Sequence, residues 1–449
     1  MTSSTLLSQY RVPLAIALAG MAMRLLFVQW VPLQPVADFG RYLEVACSVA
    51  SGGGFRISGV PYVSQPPLYP GVLGVWFMLT GVSVGAGKVL NLLLWAGTLS
   101  TWIWLGARLR LRTAWQLASL AVLAFHPALV AYCNVLGTES LSVFLAVLGM
   151  ALAVARFPGS LLLLGAVLAL TALNRPQMLP LPGAVALALL LRDGIHVATW
   201  RRVGVVLLGF LLVLGPWSLR NALLFGQLVP VSANSGYVLM VNNNDGNSHG
   251  GWMPLRDVLL QTDDQAQFAD AGFSRGFFAG ESEDWKLRHW TPAADVIASG
   301  VGRRWVAQHP GRFLELALLR LRGSFDAGSL MHWPFLEKGG APVWLARLTA
   351  ALNLTLTAWA GIALLRMCLH LRHWQIVHWL AATTLGLGVV SILLFEGQGR
   401  YLLPLLPAAL FIIVASGRLR LPDPTPHALC SPELTIAGVP HPVPPQENK

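Results

Sequence analysis

Apolar runs of about 20 residues, long enough to cross a bilayer as helices, recur along this chain with arginine-bearing stretches between them. That pattern leaves little freedom, and the chain reads as an all-α polytopic membrane protein. Composition agrees: 11% of the residues are charged, where soluble domains carry about 25%. The mean hydropathy of +0.60 points the same way. The first run has no small-x-small cleavage site, so it is expected to stay as an anchor.

About ten runs qualify as spans, within a range of nine to thirteen: about 12–31, 85–107, 115–133, 137–156, 159–174, 178–192, 203–219, 343–366, 375–395 and 400–416. Arg108, Arg110 and Arg112 follow the second, and Arg156 the fourth. Arg192, Arg201 and Arg202 separate the sixth from the seventh. Arg366 and Arg372 follow the eighth, and Arg418 and Arg420 the last. All of them fall inside if both termini are cytoplasmic, which is the positive-inside arrangement. The net charge of +11 is therefore a topology signal and not a nucleic-acid-binding face. The expected setting is the cytoplasmic (inner) membrane.

Leu68–Thr80 is apolar but short, and counting it as a span would move Arg108–Arg112 outside. It is expected to be a re-entrant or surface helix, opened by Pro66-Pro67, that closes a first outer loop over about 32–84. On this reading residues 1–219 form an N-terminal module, 220–342 an extracytoplasmic loop region and 343–420 the C-terminal helices. The tail 421–449 is Pro-rich and reads as disordered.

The large loop holds twelve of the twenty acids. Its Asn242-Asn243-Asn244-Asp245-Gly246 run suits turns with positive φ. His309-Pro310 opens an amphipathic helix to about Phe325, expected to lie on the membrane. Trp252, Trp285, Trp290 and Trp305 suit an interfacial loop. The four cysteines have no metal-site spacing. Cys47 and Cys133 can both lie on the outer side, which leaves a disulfide between them open.

Acids are scarce elsewhere. The first 222 residues hold four: Asp38, Glu44, Glu139 and Asp193. Asp38, Glu139 and Glu396 recur at outer helix ends, and Lys88, Arg175, Arg220 and Arg400 sit at the same level. Closing the bundle would bring carboxylates and cations around one cavity. Such a set suits transfer from a lipid-phosphate donor. A carboxylate deprotonates the acceptor hydroxyl, and cations stabilise the leaving phosphate, which needs no general acid.

Plainer roles compete at each position. Asp38 can cap a helix or pair with Arg41. Glu139 can be a first-turn acid favoured by the helix dipole, and Arg175, Arg220 and Arg400 can be headgroup anchors. Arg24, inside the first span, either snorkels or faces the bundle and meets an acid. His126 before Pro127 reads as packing or a bend. His370, His373 and His378 read as loop residues. The Ser51–Gly54 run is no nucleotide loop, because no strand precedes it and no Lys-Ser/Thr follows.

Several motifs, in order, give the chain a family likeness. They are Asp38, Tyr42 and Ala46; Gly54-Phe55; Pro66-Pro67-Leu68-Tyr69; Glu139 in the second outer loop; Arg175-Pro176; Pro216-Trp217-Ser218-Leu219-Arg220-Asn221; and Glu396-Gly397 followed by Arg400-Tyr401 and Pro404. In these the chain resembles the GT-C superfamily of integral-membrane glycosyltransferases, in the branch of dolichyl-phosphate-mannose–protein mannosyltransferases and aminoarabinose transferases. The likeness runs from about residue 12 to 416.

The resemblance implies a polyprenyl-phosphate sugar donor, an inverting transfer on the outer face, Asp38 as base and Glu139 in a supporting acidic role. Lys88, Arg175, Arg220, Arg400, Tyr401, Tyr69 and Glu396 become candidates for the donor phosphate and sugar. Two departures stand out. Phe39 follows Asp38 where the family often has Glu, and Gln65 stands where aminoarabinose transferases carry a Lys. A divalent cation (Mg or Mn) shared by Asp38 and Glu139 stays open. The acceptor is an envelope glycan, a glycolipid or a protein. A transporter or flippase, an envelope scaffold and a diphosphate-donor polymerase or ligase are the competing functions. A transporter would favour mid-membrane charge and inverted repeats. No repeat is present, and Arg24 is the one mid-span charge.

Overall fold

In the computed structural model, residues 3–261, 265–271, 282–326, 335 and 340–416 are described. The expected tail 421–449, with Arg418 and Arg420, lies outside them. The chain begins with α1 (Ser3–Trp30), α2 (Asp38–Ala50), a two-stranded hairpin of β1 (Arg56–Ile57) and β2 (Val60–Pro61), α3 (Leu68–Thr80) and α4 (Val84–Arg108). There follow α5 (Thr113–Phe125), α6 (Pro127–Ala131), α7 (Thr138–Val154), α8 (Ser160–Asn174), α9 (Leu181–Asp193) and α10 (Val197–Phe225). A small domain holds α11 (Ser235–Asn242), α12 (Leu255–Leu259), α13 (Gln265–Asp270), α14 (Glu283–Arg288), α15 (Pro292–Gln308) and α16 (Pro310–Gly323). The bundle ends with α17 (Val343–Cys368), α18 (Ile376–Leu394), a 3₁₀ turn Gly399–Leu405 and α19 (Leu406–Ser416).

The chain is an integral membrane protein. Among the described residues, six helices are long and apolar enough to cross a bilayer, or seven if the bent pair formed by 113–125 and 127–134 counts as one span. The expected spans at 137–156, 159–174 and 178–192 are the helices α7, α8 and α9, of 17, 15 and 13 residues. These are shorter than the roughly 20 residues of a full crossing. Leu68–Thr80 is a separate 13-residue helix, α3, packed on α2.

Small residues set the closest crossings. A Cβ on Gly165 of α8 would overlap the Val206 carbonyl, and one on Gly209 of α10 would overlap that of Leu162. With neither present the two backbones touch, and dispersion contacts replace the hydrophobic drive that lipid cannot supply. The end of α8 is thereby fixed, and Asn174 and Arg175 with it.

The bend at His126-Pro127 has a direct cause. Pro127 has no N–H, so the Leu123 carbonyl loses its helical donor. Arg24 supplies replacements, Nη2 to Leu123 O at 2.8 Å and Nη1 to Ala124 O at 2.6 Å, while its guanidinium lies 4.0 Å from the Trp95 ring. Arg24 is fully buried, so it faces the bundle, but it meets backbone carbonyls instead of an acid.

The stretch expected to be a large polar loop folds around its own apolar core, with Tyr237, Met240, Val241, Leu255, Val258, Trp290 and Ala294 among its members. Asp295 accepts from the Gly236 and Tyr237 amides at 3.2 and 2.9 Å, which caps the start of α11. The Asn run corrects the expectation of positive-φ turns, since none of its residues has positive φ. Asn242, Asn243 and Asn244 instead turn their amides back onto the carbonyls of Val238, Leu239 and Met240, and in this way Asn243 serves the Leu239 carbonyl that the end of α11 leaves without a helical donor. Cys47 and Cys133 are free thiols, so the disulfide is not formed. The helix expected from His309-Pro310 is α16, and its Leu316, Ala317 and Arg320 pack into protein.

Candidate active site

Asp38 is the first helical residue of α2, and the turn before it is strained: Ala37 has φ 49°, a conformation that L-residues other than Gly, Asn and Asp seldom adopt. That turn aims the Asp38 carboxylate at the 3₁₀ turn 399–405. Asp38 Oδ2 accepts from Arg400 Nη2 at 3.0 Å. Its Oδ1 accepts from Arg41 and from Gln65 Nε2, the latter at 3.1 Å. Burial alone would raise the carboxyl, but Arg400 and Arg41 outweigh it and hold Asp38 below the ordinary carboxylate range.

Tyr401 links this group to the second acid. Its ring lies 5.2 Å from the Arg400 guanidinium and 5.5 Å from that of Arg175. Its hydroxyl donates to Glu396 Oε2 at 2.7 Å, and Glu396 Oε1 accepts from Gln398. Burial raises the Glu396 carboxyl, and Arg400 and the Tyr401 bond offset only part of that rise.

Arg175 donates to Glu139 Oε1 at 3.2 Å, with both side chains buried. Asn174 fixes that corner by donating to Thr138 O at 3.0 Å and Ser142 Oγ at 2.7 Å. At Gly137 a Cβ would overlap both Glu139 Oε2 and the Phe39 ring, so the missing side chain lets the Asp38–Phe39 turn meet Glu139. A mainly apolar cavity lies beneath, with Arg175 and Ser142 in its wall beside Leu145, Met150, Leu168 and Leu380.

Several buried polar atoms here have no partner among the described residues: Gln65 Oε1, Glu139 Oε2, Arg400 Nε, Asn134 Oδ1, Asn174 Oδ1 and the Tyr132 hydroxyl. Folded proteins leave few such atoms, because each one costs about 1–3 kcal/mol. Their concentration around the Asp38–Arg400–Glu139 group marks a place where a polar ligand or water would complete the bonding.

The structure thus brings together Asp38, Glu139, Arg175, Arg400, Tyr401 and Glu396. Tyr69 is fully buried one layer behind, its hydroxyl donating to Asn91 Oδ1 at 3.2 Å and its ring 6.0 Å from Tyr42. Lys88 is buried near the start of α4, within electrostatic reach of Cys133. Arg220 has a different set of partners. It donates to Phe55 O at 3.2 Å and to Asn221 Oδ1 at 2.8 Å, and it stacks 4.5 Å from the Trp217 ring.

Sequence reasoning missed Tyr132, which is 1% exposed and within electrostatic reach of Glu139, Arg400 and Arg175. Asn91 holds its turn by donating to Cys133 O and Val135 O at 3.1 and 2.7 Å. The available signal was a Tyr and an Asn closing an apolar run just before Gly137-Thr138-Glu139.

No three His, Cys, Asp or Glu side chains among the described residues are grouped to hold a metal ion. Asp38 and Glu139 fit a shared divalent cation poorly. Both oxygens of Asp38 already accept from guanidinium groups, and Glu139 leaves one oxygen free beside Arg175. Three cations so placed oppose a further positive charge.

No family model matches the chain, and no curated protein matches it. Among solved structures it is similar to ArnT from Cupriavidus metallidurans, solved bound to undecaprenyl phosphate. That match has 16% identity and a TM-score of 0.42, and it covers 92% of this chain and 78% of that one. It is also similar to the archaeal oligosaccharyltransferase AglB from Archaeoglobus fulgidus, solved with an inhibitory peptide and a dolichol-phosphate. There the identity is 14% and the TM-score 0.46, covering 92% of this chain and 50% of that one. At these values the likeness transfers no residue roles.

Proposed function

We propose that the protein transfers a monosaccharide from a polyprenyl-phosphate donor to an acceptor hydroxyl at the outer face of the cytoplasmic membrane, with inversion. The chain would cross about ten times with both termini cytoplasmic, and the 235–325 domain would be extracytoplasmic. Residues 1–219, 220–342 and 343–420 would then be catalytic module, outer domain and closing helices. The observation that carries the reading is the Asp38–Arg400–Tyr401–Arg175–Glu139 chain, in which two cations share the Tyr401 ring and each reaches an acid, among unpartnered polar atoms.

A carboxylate held by two guanidinium groups is a weak base, because the best general base has a pKa near the working pH. The donor phosphate resolves this. Its charge draws Arg400 and Arg175 into charge-assisted bonds. Asp38 then loses a neutralising partner, burial dominates, and its proton affinity rises as the donor arrives. The acceptor oxygen attacks the anomeric carbon, the carbon–oxygen bond to phosphate breaks, and the acceptor proton passes to Asp38. The polyprenyl phosphate leaves unprotonated against Arg400 and Arg175. The apolar cavity beside Arg175 suits part of a prenyl chain. Glu139 and Glu396 would accept sugar hydroxyls or hold the arginines. No step is routed through a divalent ion.

The test offers purified protein in lipid nanodiscs a panel of radiolabelled polyprenyl monophosphate and diphosphate sugars with native envelope as acceptor. Transfer from a monophosphate donor is expected, and it should persist in chelator. Transfer from diphosphate donors alone would replace this reading with a polymerase or ligase. Movement of lipid across the bilayer with no transfer would replace it with a flippase.

A further inference from the structure

One buried cation joins the 235–325 domain to the site, and neither the motifs nor the reaction above uses it. Arg320 on α16 is 1% exposed. Its Nε and Nη2 donate to Leu393 O at 3.1 and 2.9 Å. Nη1 donates to Asn242 O at 3.1 Å, and Nη2 to Asn243 Oδ1 at 3.0 Å. Asn243 Nδ2 in turn donates to Leu394 O at 3.3 Å.

Leu393 and Leu394 close α18, where the last carbonyls have no donor within the helix. Arg320 and Asn243 therefore cap α18 from the domain. The contact continues past the helix end. Gly397 lies against the Arg320 carbonyl so closely that a Cβ would overlap it. From there the chain runs to Arg400, which reaches Asp38, and to Tyr401, which reaches Glu396.

We propose that Arg320 is a positioning residue for the transfer reaction: with Asn243 it fixes the end of α18 so that segment 395–400 delivers Arg400 to Asp38. The kinetic consequence rests on the transferase reading above, while the structural consequence does not. Arginine suits the task where lysine does not. A planar fork serves three acceptors at fixed angles, and a single ammonium on a flexible stem cannot hold that set. Misplacing a reacting group by about 1 Å can cost about 100-fold in rate, so a clamp remote from the chemistry can govern it.

The experiment uses the full chain in nanodiscs with Arg320→Met, Arg320→Lys and the milder Asn243→Ala. Hydrogen–deuterium exchange is read at amides 395–401. It should rise at least about 10-fold in Arg320→Met, less in Asn243→Ala, and stay unchanged in α7 and α8. Arg320→Lys should behave like Arg320→Met. Transfer should fall about 10-fold or more in kcat in Arg320→Met, but within about twofold when Arg400 is already Met, because both changes then act through one contact.

Unchanged exchange at 395–401 in both Asn243→Ala and Arg320→Met overturns the clamp. Losses that multiply in the Arg400→Met background overturn its action through Arg400. If Arg320→Met does not fold, Asn243→Ala carries both measurements. If the wild type transfers nothing from any donor, the transferase reading fails and exchange still decides the clamp.

Discussion

Arg24, fully buried, and Arg400, whose side chain is 12% exposed, are both cations of the helical bundle, and they answer different needs. Arg24 repairs backbone. Pro127 leaves a carbonyl without its donor, and the Arg24 guanidinium fills the gap at Leu123 and Ala124 against the Trp95 face. Helix breakage accounts for it, and no carboxylate is involved. Nothing in the backbone asks for Arg400. It reaches the Asp38 carboxylate from 362 residues away, with its Nε, Gln65 Oε1, Glu139 Oε2 and the Tyr132 hydroxyl left without partners among the described residues. A buried charge that satisfies its own fold is structural. One that draws acids and cations together around unsatisfied atoms is poised for a ligand.

The two regions should separate cleanly under substitution. Arg400→Met is expected to lose about 100–1,000-fold in kcat/KM, as when one preorganised donor to a developing anion is removed, with a small change in unfolding midpoint. Arg24→Met should do the reverse. Unpaired Leu123 and Ala124 carbonyls cost about 1–3 kcal/mol each, so thermal unfolding in detergent drops while the folded fraction keeps its kcat. Equal loss of stability in both variants would erase the distinction.

The pH dependence sharpens it. Arg400 and Arg41 depress Asp38, so the stability this carboxylate contributes is present above its unfolded value near 3.9 and is lost only as pH falls through its lower folded value. Without Arg400, burial is left less opposed and the folded value rises. The acid limb of the Arg400→Met kcat/KM profile, which reports the free enzyme, should therefore lie at higher pH than in wild type, and an unmoved limb would detach Arg400 from Asp38.

Smaller effects follow. Tyr132→Phe removes a hydroxyl that has no protein partner, so the midpoint should hold while transfer falls about 10-fold. Arg220→Ala is expected to change transfer by no more than about twofold, because Arg220 holds Phe55 and Asn221. A loss as large as that of Arg400→Met would return it to the donor site.

Much of the fold was legible because bilayer physics writes it into the sequence. The long apolar helices, and α3 at Leu68–Thr80, follow from run length, while α7, α8 and α9 come out shorter than full crossings. Asp38, Glu139, Arg175, Arg400, Tyr401 and Glu396 could be gathered in advance because acids are rare and stand at helix ends. The misses share a cause. Arg320 has carbonyl partners 73 and 78 residues away, and carbonyls have no residue identity to read. The Asn242–Asn244 run looks like a turn in any local window. Its role as a cap appears only once α11 is in place. Cys47 and Cys133 can share a side of the membrane without approaching each other.

The central claim is that Asp38 takes the acceptor proton. Its most direct test compares Asp38→Asn with wild type, at matched abundance and unfolding midpoint, for sugar transfer from polyprenyl monophosphate donors and for binding of the lipid phosphate itself. The account predicts that Asp38→Asn binds the lipid phosphate at least as tightly, because Arg400 is freed, and that transfer falls by at least about 100-fold. Transfer at the wild-type rate would contradict it.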